Sequence, residues 1–549
     1  MILDQSLKGI QDDLTSDRSA EQLSITQAEP PLVLALDIGT SSVRAALFDR
    51  RGLEVAGTQA RVARSFRTTR DGGAEADAAE LFEQVVKVID DALAAGRNLP
   101  VSAVAISCFW HSLVGVAADG RALTAIFGWA DTRAAGQAEE LRRRLDEREI
   151  HARTGCRFHA GYWPAKLLWL RQQQPDLFSA AARWMSPGEY VALRLSGEAV
   201  ASVSMASGTG LLNVWQCAWD QELLERLGLQ SEKLPPLAQN GETFACASQY
   251  AQRWPQLREA RWFPAIGDGA ANNIGAGCVT RAAVALMIGT SGAMRLMWAG
   301  DPPGALSESL WCYRADRRRV VVGGALSDGG GLYAWLADAL ALKLDAAEIE
   351  RALAELEPDA HGLTILPFWA GERSTGWSAH ATGAILGLTT HTRPLEILRA
   401  SMEAVAYRFA LIAEALFGFA PEAEIYASGG ALWASPTWTQ LLADTLGRPL
   451  RLSGVREASS RGAVLLALEA MGEIKDLSEM NASAHDTVEP HPAHHARYRA
   501  GLARQQLIYD LIVRDQNIAR ALAGGARGAQ PVQDALNDSN AVTGRGGRF

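Results

Sequence analysis

The stretch Leu32-Val33-Leu34-Ala35-Leu36-Asp37-Ile38-Gly39-Thr40-Ser41-Ser42-Val43-Arg44-Ala45-Ala46-Leu47-Phe48 decides how the rest of the chain is read. Residues 32–36 are a short apolar run, suited to a buried strand. Residues 37–42 form a turn of small and hydroxylated residues, 43–48 read as a second strand, and Asp49-Arg50-Arg51-Gly52 as a second turn. Residues 53–62 read as a third strand. Leu81, Val85, Ile89 and Leu93 then recur at helical spacing on one face. Residues 101–107 return to a strand pattern.

Three hairpin-connected strands followed by a helix and a strand open a ribonuclease-H-like α/β domain. The opening recurs. Residues 283–287 are apolar, Ile288-Gly289-Thr290-Ser291 repeats Ile38-Gly39-Thr40-Ser41, and residues 293–298 resume the strand. The chain therefore reads as two related halves meeting near residues 279–283.

Bulk composition agrees. The chain has 549 residues, 48% of them hydrophobic, enough for more than one core. A formal charge of −9, with basic clusters as short as Arg142-Arg143-Arg144 and Arg317-Arg318-Arg319, excludes nucleic acid as the main partner. Six cysteines are scattered without a CxxC pair, which points to a reducing, cytoplasmic setting rather than a disulfide framework or a zinc site. No uncharged run reaches the roughly 18 residues of a membrane span. Residues 1–30 and 523–549 lack the apolar content to order themselves, so both are expected to be disordered, and residues 481–522 are expected to form a C-terminal helical segment. A homodimer is one option that the sequence leaves open.

Phosphoryl transfer needs a phosphate cradle, a metal ion and a base aimed at the attacking hydroxyl. Backbone amides of Gly39, Thr40 and Ser41, and of Gly289, Thr290 and Ser291, suit phosphate oxygens, because glycine permits close approach and hydroxyls add donors. The chain has no GxxxxGK[ST] motif, so it is not a P-loop enzyme. Asp37 ends a buried strand. It is either partnered by Mg²⁺ or the start of an Asx-turn. Asp268, in Gly267-Asp268-Gly269-Ala270-Ala271-Asn272-Asn273-Ile274-Gly275, follows a short apolar strand at 264–266. It is either a general base or a helix cap. Ser428-Gly429-Gly430-Ala431 precedes a helix at 438–446 and suits either a nucleotide contact or a plain turn.

Taken together, these segments resemble the FGGY carbohydrate kinases, in order from about residue 32 to 475. The matching pieces are Asp37 through Arg44, Gly267 through Ala271, Ile288 through Gly292, Gly383-Ala384-Ile385-Leu386-Gly387-Leu388, and Ser428 through Ala431. The resemblance implies an α/β fold of two ribonuclease-H-like, actin-like ATPase domains, residues 31–280 and 281–480, with the active site in the cleft between them. It implies ATP and Mg²⁺ as cofactors, Asp268 as the general base and Asp37 at the metal. Gly39, Thr40, Ser41, Gly289, Thr290 and Ser291 would lie near the phosphates, with Arg44 as the family's arginine in the first turn. Gly330 and Gly331 would form a nucleotide wall, and Gly429 and Gly430 would lie near adenosine.

Within that family Cys108-Phe109-Trp110-His111-Ser112 is similar to the gluconate kinase branch, where xylulose kinases show a His-Gly pair. Trp129-Ala130-Asp131-Thr132-Arg133, Lys166-Leu167-Leu168-Trp169-Leu170 and Ser204 through Gly210 extend that likeness. Two positions depart from the family pattern: Gly161 stands where some members carry an aromatic, and Ala434 where glycerol kinases carry an Asn near adenine. The expected partner is a small sugar or sugar acid, D-gluconate first. A carboxylate calls for charge-assisted donors, and Arg133, His111 and Lys166 are the candidates, although Arg133 could instead pair with Asp131. Trp110 and Trp129 either pack on sugar C–H faces or belong to the core. His159 is expected to be structural, and Arg373, in Gly371-Glu372-Arg373, to make an ion pair across the cleft floor. The alternatives are a pentulose or polyol kinase and, from another class, a non-catalytic actin-like ATP switch, which needs neither the Asp nor the sugar segment.

Overall fold

Strand β1 (Val33–Ile38) is buried along its whole length because it has neighbours on both edges, which is why its sequence is apolar without alternation. It pairs antiparallel with β2 (Ser42–Phe48) and parallel with β4 (Ala103–Cys108). Outside these lie β3 (Ala60–Ala63), beside β2, and β5 (Arg261–Trp262) and β6 (Ile266–Gly267), both on β4. This computed structural model describes residues 22–515 and 518, save 97, 98 and 379. The helix expected from Leu81, Val85, Ile89 and Leu93 is α1 (Ala78–Ala95), with all four buried and Asp77 capping it at the Glu80 amide.

The third strand is shorter than the pattern at 53–62 predicts. Gly57 turns the chain at φ 79°, and Thr58 closes that turn onto the Val55 carbonyl. Residues 53–56 instead accept a partner from the N-terminal segment: Leu23 donates to the Glu54 carbonyl at 2.9 Å, and the Ala56 amide donates back to Leu23 at 2.8 Å. Residues 22–29 are therefore docked, which corrects the expectation of disorder throughout 1–30. Residues 1–21 and the 523–549 tail lie outside the described residues.

The second half repeats the plan with β7 (Ala283–Ile288), β8 (Gly292–Ala299), β9 (Trp311–Arg314), β10 (Arg319–Leu326), β11 (Glu424–Ser428), β12 (Leu450–Leu452) and β13 (Asp486–Val488). The order β10-β8-β7-β11-β12 has the same sense as β3-β2-β1-β4-β5: three antiparallel strands, then two parallel ones. This is the ribonuclease-H-like order in both halves. β9 and β13 extend the second sheet at its two edges, so the 481–522 segment contributes a strand as well as a helix.

Five helices place the site. α2 (Asp268–Gly275) follows β6, α3 (Gly330–Ala339) follows β10, α4 (Pro394–Phe417) covers the second sheet, and α5 (Gly430–Ala434) with α6 (Pro436–Leu446) follows β11. A further helix, α7 (Ala458–Met471), lies late in the sequence but packs in the first core through Ala463, Val464, Leu465 and Leu468. It crosses α2 at a small-residue contact. A Cβ on Gly462 would fall 1.8 Å from the Ala271 carbonyl oxygen, and one on Gly275 1.8 Å from that of Ala458. The last helix, α8 (Pro492–Tyr509), lies across the second half with Tyr498, Gln505 and Tyr509 buried. Among the described residues no helix is long and apolar enough to cross a membrane, and all six cysteines are free thiols.

Candidate active site

The two glycine turns close differently. In the first, Gly39 N–H donates to the Ser42 carbonyl at 2.9 Å, and Arg64 ties the turn from outside, its guanidinium on the Gly39 carbonyl and its amide on that of Ser41. In the second, Gly289 N–H donates to the Ser291 carbonyl at 2.9 Å. The first amides of α3 then donate to the turn, Gly330 to the Gly289 carbonyl and Gly331 to that of Thr290. Gly429, at φ 110°, lets the β11–α5 junction close on the same turn, where a Cβ would lie 2.3 Å from the Ile288 carbonyl oxygen. The structure thus brings Gly289, Thr290, Ser291, Gly330, Gly331, Gly429 and Gly430 together.

Charge gathers at the first turn. Asp37 lies opposite Arg44 across the β1–β2 ladder. Arg44 donates to Ser42 Oγ at 3.0 Å and to Glu457 at 2.7 Å. Burial pushes the Asp37 carboxyl up to about 6; Arg44 pulls against this and Glu457 adds to it. A buried carboxylate at Asp37 and a half-buried one at Glu457, both in the field of Arg44, are a donor set that suits a hard divalent cation. Sequence reading missed Glu457, the residue before α7, which is 413 positions from Arg44; an acidic residue at a helix start is the local signal it carries.

Asp268 opens α2. Its Oδ1 accepts the Gly269 amide at 2.8 Å, and no cation lies within ion-pair distance among the described residues. Burial raises its carboxyl above the ordinary range, opposed first by Arg295. The Trp110 indole fills the space beneath. A Cβ on Gly267 would fall 1.8 Å from that ring, so only glycine fits before the aspartate. Trp110 is 5% exposed and donates Nε1–H to the Ser204 carbonyl at 2.9 Å. It is a wall under Asp268 and part of the core, the second of the two readings that the sequence left open. Arg295, on β8, was not singled out from the sequence. It is buried beside Gly269, and its Nε and Nη1 have no hydrogen-bond partner among the described residues. The Asp268 carboxylate supports the charge of Arg295 against burial.

At the far end of the cleft His111 sits in the left-handed region at φ 70°. Its Nδ1–H donates to the Gly208 carbonyl at 2.5 Å, which leaves Nε2 to accept from Arg373 Nη2 at 3.2 Å. Burial first, then Arg373, holds the imidazole well below its usual range and therefore neutral. Lys166 donates to the carbonyls of His111 and Gly161 at 3.1 and 2.8 Å, and burial pushes it down to about 7. It ties two loops together. Arg133 is held by Asp131 at Nε (3.1 Å) and by Glu75 at Nη1 (2.7 Å), and stacks over Phe127 and Trp169. Its fork is filled, which corrects its assignment to an acceptor carboxylate. Trp129 is partly exposed, with the Arg373 guanidinium 5.2 Å above its ring.

Two further expectations meet the structure here. His159 accepts the Gly161 amide at Nδ1 and meets the Glu372 carbonyl at Nε2, a structural arrangement. Arg373 makes no ion pair among the described residues, contrary to expectation. The neighbouring Glu372 is taken instead by Arg408, Tyr509 and the amides of Gly376 and Ser378.

Residues 32–273 match the N-terminal domain, and residues 284–471 the C-terminal domain, of the FGGY family of carbohydrate kinases. The chain is 28% identical over 457 residues to gluconokinase of Bacillus subtilis (strain 168), covering 80% of this chain and 88% of that one. Among solved structures it is similar to gluconate kinase from Lactobacillus acidophilus, with a TM-score of 0.80 and 29% identity over 88% of this chain and 98% of the other. It is almost as similar to xylulose kinase from the same organism, with a TM-score of 0.79 and 28% identity over 90% and 99%.

Proposed function

The chain belongs to the FGGY family of carbohydrate kinases, and from that premise we propose that it phosphorylates D-gluconate to 6-phosphogluconate with Asp268 as the general base. Phosphoryl transfer from ATP to a small sugar follows from the family; the acceptor and the residue roles are this proposal. The observation that carries it is Asp268 itself. It is a carboxylate without an ion-pair partner at the start of α2, between the glycine turns and the Trp110–His111 segment, with burial raising its affinity for a proton. A base in that setting takes the proton from the acceptor hydroxyl as its oxygen attacks the γ-phosphorus.

The other roles follow from position. The amides of Gly39, Thr40 and Ser41 on one wall, and of Gly289, Thr290 and Ser291 on the other, hold phosphate oxygens. Gly330, Gly331, Gly429 and Gly430 let the backbone approach the nucleotide closely. Asp37, joined by Glu457, fits Mg²⁺, which when bound supplies positive charge against that developing on the phosphates. Arg44 bonds Glu457 directly and opposes the upward shift of Asp37.

The likeness to gluconokinases and the 108–112 and 129–133 segments support gluconate. The near-equal likeness to a xylulose kinase supports a neutral ketose as the second reading. A coupled assay across D-gluconate, D-xylulose, D-ribulose and glycerol separates them. The expected result is the highest kcat/KM on D-gluconate. A tenfold preference for a neutral acceptor would replace gluconate and leave the kinase standing.

A further inference from the structure

Arg373 is a cation at the acceptor end of the cleft that makes no ion pair among the described residues, the Asp268 carboxylate feeling its charge from beyond that distance. Arg295 lies in the field of Asp268, and three other basic residues near Arg373 are engaged. Arg133 sits between Asp131 and Glu75, Lys166 donates to two carbonyls, and Arg408 pairs with Glu372. Glu372, adjacent in the chain, is turned to Arg408 and Tyr509. Arg373 instead rests on two uncharged groups, the His111 Nε2 lone pair at 3.2 Å and the Trp129 ring at 5.2 Å. Both orient the guanidinium plane and neither cancels its charge. One Nη2 is used, and Nη1 and Nε have no partner among the described residues, so an edge of the fork stays open.

The setting favours an anion. Burial first, then Arg373, lowers the proton affinity of His111 and His159, and Arg373 adds to the effect of burial on Lys166. His111 is locked into the tautomer that accepts from Arg373, because its Nδ1 must donate to the Gly208 carbonyl. The Gly371-Glu372-Arg373 loop is anchored through Glu372 to α4 and α8, so the guanidinium is presented from a fixed base. A preoriented fork with one open edge matches a carboxylate held by two parallel N–H···O bonds.

We infer that Arg373 is the residue that binds the carboxylate of a sugar-acid acceptor, held in place by His111 and Trp129. This rests on the sugar-acid reading above. It moves carboxylate recognition from Arg133 to a residue 240 positions further along the chain, and it makes His111 and Trp129 positioning residues rather than direct readers of charge.

The test is steady-state kinetics on D-gluconate with the full chain, Mg²⁺ and saturating ATP, for wild type, Arg373→Gln and Arg373→Lys, with thermal melting of each. Arg373→Gln is expected to raise KM for D-gluconate roughly 10- to 100-fold while kcat falls by less than tenfold. Arg373→Lys keeps a point charge without the fork and is expected to fall between the two. An unmoved KM in a folded Gln variant overturns the inference, and so does a loss confined to kcat, which would assign Arg373 to the transition state. If Gln fails to fold, Lys decides: a wild-type KM there overturns the inference and a raised one supports it. Wild type that phosphorylates D-xylulose but not D-gluconate removes the sugar-acid reading and this inference together. Wild type active on D-gluconate with unmoved variants removes this inference alone.

Discussion

The two Ile-Gly-Thr-Ser turns have the same four residues and occupy the same place in their sheets, yet their surroundings differ. The first is preceded by Asp37, faces Arg44, and draws in Glu457 from the other end of the chain. The second is preceded by Met287 and is backed by the uncharged amides of Gly330 and Gly331. The first turn closes from Gly39 to Ser42, three residues on, and the second from Gly289 to Ser291, two residues on. The cleft therefore has one charged wall and one neutral wall of backbone amides. A duplicated turn can keep its four residues and its place in the sheet while its closing hydrogen bond and its surroundings diverge.

The largest effect expected is on the charged wall. Asp268→Asn should cut kcat by about 10²–10⁴ with nucleotide affinity little changed; wild-type-like turnover would end the general-base assignment. The same variant has a second readout. Burial raises the folded-state value above the ordinary 3.8. The carboxyl thus contributes stability below its unfolded value, and that contribution is lost as pH rises through the folded value. Asp268→Asn should therefore melt higher than wild type at pH 7.5 and show little gain at pH 4. In wild type, kcat/KM should fall on acidification at a pH above the ordinary carboxylate range.

Next comes the metal side of the same wall. Asp37→Asn should raise the Mg²⁺ concentration needed for half-maximal rate roughly 10- to 100-fold, and Glu457→Gln should move it in the same direction by less. Equal Mg²⁺ requirements in all three proteins would place the metal elsewhere. On the neutral wall the effect should be smaller and of a different kind. A Cβ on Gly330 would sit 2.7 Å from the Gly289 carbonyl oxygen, so Gly330→Ala should shift the second turn and raise KM for ATP about tenfold, with KM for the sugar unchanged. A matching rise in sugar KM would erase the distinction between the walls.

The smallest effect concerns the sheet edges. The first half is edged near residues 53–56 by residues 22–29, the second by β13. Deleting residues 1–21 should leave the melting temperature unchanged, whereas deleting residues 1–30 should lower it by a few degrees with kcat intact. Equal melting of the two truncations would show that the 22–29 contact adds nothing.

Much of this protein was legible before any coordinate. Strand periodicity, the repeated turn, and the aspartates at 37 and 268 are written in runs of a few neighbouring residues, because strand burial, tight turns and close backbone approach are local demands. These demands were enough for the two-domain fold. They failed where ion pairing was at issue. Arg133 met Asp131, the alternative its neighbours suggested, but also Glu75, 58 positions away. Arg44 met Glu457, and Arg373 met no carboxylate among the described residues. Trp110, aromatic in a substrate-like segment, proved to be the wall beneath Asp268. Which cation keeps its charge free depends on which carboxylate lies within a few ångströms after folding. That distance is set by how α7, α8 and the two sheets pack, so only the tertiary structure decided it.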